Sequence, residues 1–71
     1  MLASKAPSIG DTVMWTNLES RYAKWFYSQI GVIESIRNGH CRVRWCFPVE
    51  YHGRHTTVSD FSLNNFSICV N

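Results

Sequence analysis

The sequence predicts a small all-β domain, on three observations. β-Branched and aromatic residues dominate from Gly10 onward, turn formers recur about every ten positions, and no ten-residue window keeps an apolar i, i+3, i+4 face. A chain of 71 residues has room for one core. Aromatic residues make up 14% of it, against 17% charged, so large rings are expected to supply much of that core.

Residues 1–9, with Ala3, Ser4, Ala6, Pro7 and Ser8 and no apolar periodicity, read as a flexible arm, and residues 10–71 as the domain. A first strand is placed near 11–16. The polar and aromatic stretch 17–27 is too long for a hairpin turn and is expected to be functional or packed on itself. A second strand follows near 29–36, and Asn38-Gly39 marks a tight hairpin, because these residues tolerate the positive φ such a turn requires. The third strand runs 41–47. Strict alternation there puts Cys41, Val43, Trp45 and Phe47 on the core face and both Arg42 and Arg44 on the outer face. A two-residue turn would set Glu34 opposite Val43 on the core face. A three-residue turn with a glycine bulge sets it outside, opposite Arg42, and avoids a buried unpaired carboxylate, so the bulge is favoured. Pro48 is expected to end the third strand or mark an edge, and 50–52 to form a short fourth strand before Gly53 turns the chain. The stretch 60–65 suits a single helical turn or tight bend, and 66–70 a last strand. About five short antiparallel strands, a long first loop and a turn before the last strand amount to an SH3-like barrel. The competing OB-fold would carry a helix that the sequence does not offer.

Composition removes several classes of function. A net charge of +2 does not suit a protein that wraps nucleic acid through many phosphate contacts. Cys41, Cys46 and Cys69 form neither an even set nor a C-x-x-C pair, which argues against a disulfide framework or zinc knuckle and reads as a reducing compartment. No apolar run approaches the ~18 residues of a membrane span, and 1–8 is too short for a complete signal or transit peptide. Membrane association would therefore go through a partner.

The candidate sites each have a plain alternative. Arg42 and Arg44 form either a docking face or a solvated strand face paired with Glu34 and Glu50. Arg21, Lys24, Arg37 and Arg54 fall in expected loops, where they suit contact with an acidic partner or simple solvation. Tyr22, Trp25, Phe26 and Tyr27 would line an aromatic cage for a methylated amine, or cap the barrel; Trp15 and Trp45 read as core or edge packing. His40, Cys41 and Cys46, or His52 with His55, do not supply the four convergent ligands of tetrahedral zinc, so no metal and no cofactor is expected. Ser59, Asp60 and His55 hold the letters of a hydrolase triad without a nucleophile-elbow motif, and no catalytic residue is assigned.

In order along the chain, Gly10-Asp11-Thr12-Val13, Glu19-Ser20, Ile30-Gly31-Val32-Ile33, Val43-Arg44-Trp45, Val49-Glu50-Tyr51-His52-Gly53 and Asp60-Phe61-Ser62-Leu63 resemble the photosystem I reaction-centre subunit IV family. The first loop is longer than that family's around 21–24, and the Asn38-Gly39 hairpin is shorter. The resemblance implies a non-catalytic subunit, peripheral on the stromal or cytoplasmic side of a chloroplast or cyanobacterial thylakoid, that stabilises photosystem I and helps ferredoxin to dock. Its docking arginine falls on Arg44, with Arg42, Arg54, Arg21 and Lys24 as further partner-binding candidates, and the photosystem I core subunits and ferredoxin as partners. A KOW- or Tudor-like barrel that binds nucleic acid or chromatin is the alternative, with Tyr51 beside Arg54 as a stacking platform.

Overall fold

The computed structural model describes residues 2–3 and 6–69. The chain is all-β: β1 (Leu2–Ala3), β2 (Thr12–Trp15), a single helical turn α1 (Ala23–Phe26), β3 (Ile30–Arg37), β4 (His40–Tyr51), β5 (Arg54–Ser62), a 3-10 turn at Leu63–Asn65 and β6 (Phe66–Cys69). Strands β2 to β5 form an antiparallel meander and β6 returns beside β2, the strand order of a small SH3-like barrel. Leu2 and Ala3, inside the stretch read as an arm, add to the outer edge of β6 opposite Cys69 and Ile68. Val70, the expected end of the last strand, lies outside the described residues.

Period-two alternation builds the core. Val13 and Trp15 from β2, Ile33 from β3, Cys41, Val43 and Trp45 from β4, and Phe66 and Ile68 from β6 all point inward. The long first loop contributes as well. Its turn α1 drives Phe26 between two indoles, stacked on Trp15 at 5.6 Å and on Trp45 at 5.3 Å between ring centroids. Both indole N–H groups find acceptors: Trp15 Nε1 donates to the Asn17 carbonyl at 2.8 Å and Trp45 Nε1 to Ser59 Oγ at 3.0 Å. The buried Asn65 ties the start of the loop to the 3-10 turn, accepting from Asn17 Nδ2 and donating to the Ser62 carbonyl. Its own carbonyl accepts the Thr16 N–H. A polar side chain is tolerated in this core because every group on it is satisfied.

Four local expectations are corrected. The Asn38-Gly39 hairpin is a two-residue turn, Arg37 standing opposite His40 with φ of 51° and 78° at the two central positions, and the bulge lies instead within β3 at Glu34. That bulge still keeps Glu34 outside, but its partner is Arg44 rather than Arg42. Second, Pro48 does not end a strand. β4 continues through it to Tyr51, and residues 45–48 stand against Thr57 alone as the pairing with β5 shifts between Arg44 and Val49. A proline without an N–H is accommodated where the ladder is interrupted. Third, this arch overturns the placement of Phe47 on the core face: the ring is 76% exposed, and Val49 resumes the inward set. Fourth, the short strand expected at 50–52 is the end of β4 with His52 in the turn, and the next strand is β5 at Arg54–Ser62, which the sequence does not mark, so Asp60 lies in a strand and only Leu63–Asn65 form the tight turn.

Cysteine chemistry follows from these faces. Cys41 is buried and Cys46 exposed on the same strand. Burial, aided by the Asp60 charge, pushes the Cys41 thiol up to about 11. Iodoacetamide at pH 8 is therefore expected to alkylate Cys46 in the native protein and Cys41 only after unfolding, read by peptide mass spectrometry. Equal labelling of the two in the native state would place Cys41 outside the core. Because the folded-state value is raised, the contribution of Cys41 to stability is complete below the ordinary thiol value of 9.0 and is lost as pH rises toward about 11.

Candidate functional site

The five basic residues singled out from the sequence separate into two groups. Arg42 and Arg44 project from the outer face of β4, as alternation requires. Each is already engaged. Asp60 stands directly across on β5, and Arg42 grips it with two hydrogen bonds, Nε to Oδ1 at 2.9 Å and a terminal nitrogen to Oδ2 at 3.2 Å. The Arg42 bond holds the Asp60 carboxyl below its ordinary value. Arg44 Nε donates to Glu34 Oε2 at the β3 bulge. Glu50 is a partner of neither. The outer face therefore presents two neutral ion pairs where sequence alternation gave two positive charges.

Arg21 and Lys24 line a cleft at the other end of β4, and Arg54 lies on the hairpin that adjoins it. Arg54 opens β5 opposite Tyr51, across a two-residue turn whose central residues His52 and Gly53 have φ of 52° and 77°. That hairpin tip meets the first loop. Trp25 packs edge-on against Tyr51 at 4.8 Å and lies 4.8 Å from the His52 ring, while Tyr22 packs on Phe61 at 5.3 Å. Lys24 Nζ sits 4.4 Å above the Trp25 ring and the Arg21 guanidinium 5.3 Å from Tyr22. Arg21, Tyr22, Lys24, Trp25, Tyr51 and His52 line a shallow cleft of about 260 Å³.

The sign of the charge decides what this cleft accepts. A cage for a methylated amine needs a carboxylate and no competing cation; here Lys24 and Arg21 stand beside Trp25 and Tyr22, and no carboxylate lines the cleft. Phe26, a proposed cage wall, is in the core. A larger open concavity of about 780 Å³ lies beside the β3–β4 hairpin, where Arg37, His40 and the Arg42–Asp60 pair line it with both signs of charge. Of the triad letters, Ser59 Oγ accepts the Trp45 indole N–H and Asp60 is held by Arg42. Among the described residues no three His, Cys, Asp or Glu side chains gather to hold a metal, and no helix is long and apolar enough to cross a membrane.

The sequence marks Arg21, Lys24 and Arg54 without uniting them, and it places His52 at the end of a fourth strand or beside His55 as a possible ligand rather than in a turn. The turn at Gly53 and the nearness of Tyr51 to Arg54 are legible there; the missed signal is that His52 shares the turn, giving with Gly53 the same positive-φ pair as Asn38-Gly39. Comparison with family models, curated proteins and solved structures finds no match for this chain.

Proposed function

We propose that this chain is a non-catalytic docking module, a peripheral subunit on the stromal or cytoplasmic side of photosystem I that stabilises the complex and helps ferredoxin to dock. The resemblance carried by the ordered motifs from Gly10 to Leu63 supplies the setting. The observation that supports docking of an acidic partner is the cleft whose charged lining residues, Arg21 and Lys24, are both basic, with Arg54 at the adjoining hairpin. Complementary charge of that kind raises the encounter rate and fixes orientation. The reading moves the principal docking contacts from Arg44 and Arg42, which carboxylates neutralise, to Arg21, Lys24 and Arg54.

The test has two stages. On native gels of thylakoid membranes the chain is expected to travel with the chlorophyll-containing photosystem I band at near-stoichiometric yield. In titrations with ferredoxin at low salt, Arg21→Glu with Lys24→Glu is expected to weaken binding about tenfold, an effect that fades as added salt shortens the screening length. Arg44→Gln changes affinity by less than about twofold, because an exposed ion pair contributes little. Absence from the band together with no ferredoxin binding would overturn the reading. A KOW- or Tudor-like nucleic-acid barrel is the second reading, favoured by the Trp25 and Tyr51 rings beside the cations; recovery of the chain with ribosomes or chromatin would put it first.

A further inference from the structure

We infer that the cleft between the first loop and the β4–β5 hairpin takes an extended acidic segment bearing an aromatic side chain, the ring against Trp25, Tyr51 and His52 and the flanking carboxylates on Lys24, Arg21 and Arg54. The inference rests on the docking reading above and names the chemical form of the partner. A purely electrostatic docking patch would need cations alone. This one is walled by rings: Trp25 and Tyr51 are only half-buried and His52 is exposed, so their remaining surface faces solvent among the basic side chains. A cleft of about 260 Å³ admits a side chain or two and not a folded convex surface.

Charge excludes the other occupants. A cationic ligand would meet Lys24 and Arg21, already placed on the rings it would need. A nucleic-acid strand requires a positive track for successive phosphates. Among the described residues the basic side chains of the outer face are ion-paired, and Arg37 stands apart, opposite His40 at the far hairpin, so no continuous run of free cations leads away from this cleft. A short segment with one ring and a few carboxylates matches a pocket of that extent. The wall is also pre-set: the positive-φ turn at His52 and Gly53 holds the His52 ring 4.2 Å from Tyr51 and 4.8 Å from Trp25 before any ligand arrives, which lowers the ordering cost of binding.

The experiment is a nuclear magnetic resonance titration of the full chain, at low salt, with three probes: the peptide Glu-Asp-Phe-Asp-Glu, its Glu-Asp-Ala-Asp-Glu analogue of equal charge, and an oligothymidylate of eight nucleotides. The phenylalanine peptide is expected to bind at least about fivefold more tightly than the alanine peptide, as a buried ring contact of ~1 kcal/mol gives. Its shifts should centre on the Trp25 indole and on Tyr51 and His52. Lys24→Glu, a change at an exposed position that leaves the fold intact, is expected to weaken it about tenfold. Equal affinity for the two peptides, shifts centred elsewhere, or tighter binding of the oligonucleotide would each overturn the inference. Ferredoxin binding retained without a preference for the ring removes the inference alone; loss of both removes the docking reading with it.

Discussion

Replacing Trp15 by alanine is expected to leave most of the chain unfolded at room temperature. The indole is 0% exposed and touches rings from three other segments: Phe26 of the first loop, Phe61 of β5 and Phe66 of β6, at 5.6, 4.9 and 5.3 Å between centroids. Truncating a buried Trp costs about 3 to 5 kcal/mol, since the cavity collapses only in part. A chain of this length has roughly 4 to 11 kcal/mol of total stability at the usual amount per residue. The loss is thus comparable with the whole. It also severs the Nε1 bond to the Asn17 carbonyl that starts the first loop on its path. Near-ultraviolet circular dichroism should flatten, and a urea titration should show little or no folded baseline. A urea midpoint within about 0.5 M of the parent would mean that the four segments are not held through this ring.

Gly31→Ala should also destabilise the fold, for the opposite reason. Gly31 has ordinary strand φ, so conformational freedom is not its role; space is. A Cβ there would stand 2.7 Å from the Arg44 carbonyl oxygen and 3.2 Å from Trp45 Cε3, and would strike the Val43 side chain. The carbonyl belongs to the neighbouring strand and cannot rotate away. Overpacking of this kind costs about 1 to 3 kcal/mol. That exceeds the ~0.4 to 1 kcal/mol that alanine returns by stiffening the unfolded chain. Thermal unfolding should fall by roughly 5 to 20 °C, at the conversion expected for a domain of this size. An unchanged or raised melting temperature would show that β3 and β4 can separate freely at this point.

The residues that declared themselves in the sequence did so through local rules. Cys41, Val43 and Trp45 alternate with Arg42 and Arg44, and a period of two is a property of the strand alone, so the faces were legible without any knowledge of the neighbours. The place of the Asn38-Gly39 turn was legible because positive φ is a property of two residues, but its two-residue length was not, since the bulge that keeps Glu34 outside lies in β3 and not in the turn. The same rules reached their limit at Phe47. Its parity is correct, yet three more residues of β4 than of β5 lie between the paired positions Arg44 and Val49, and the excess arches outward at Pro48. A residue count on one strand holds no information about a shift against another.

The candidate site divides along the same line. Sequence alone determined an all-β chain, the inward positions Cys41, Val43 and Trp45 of β4 and the presence of basic residues in the first loop and beside Gly53, because each follows from torsions, alternation or composition within a few residues. Tertiary structure decided which of those charges remain available. Whether Arg42 is a docking residue depends on Asp60, eighteen positions away, being placed opposite it by strand register. Whether Arg44 is one depends on a bulge that turns Glu34 toward it. Trp25 and Tyr51 lie in different elements and meet only when the loop folds back over the hairpin. Electrostatic and ring contacts act over a few ångströms in space, and the chain brings distant residues to that range only by pairing its strands and folding the first loop over them.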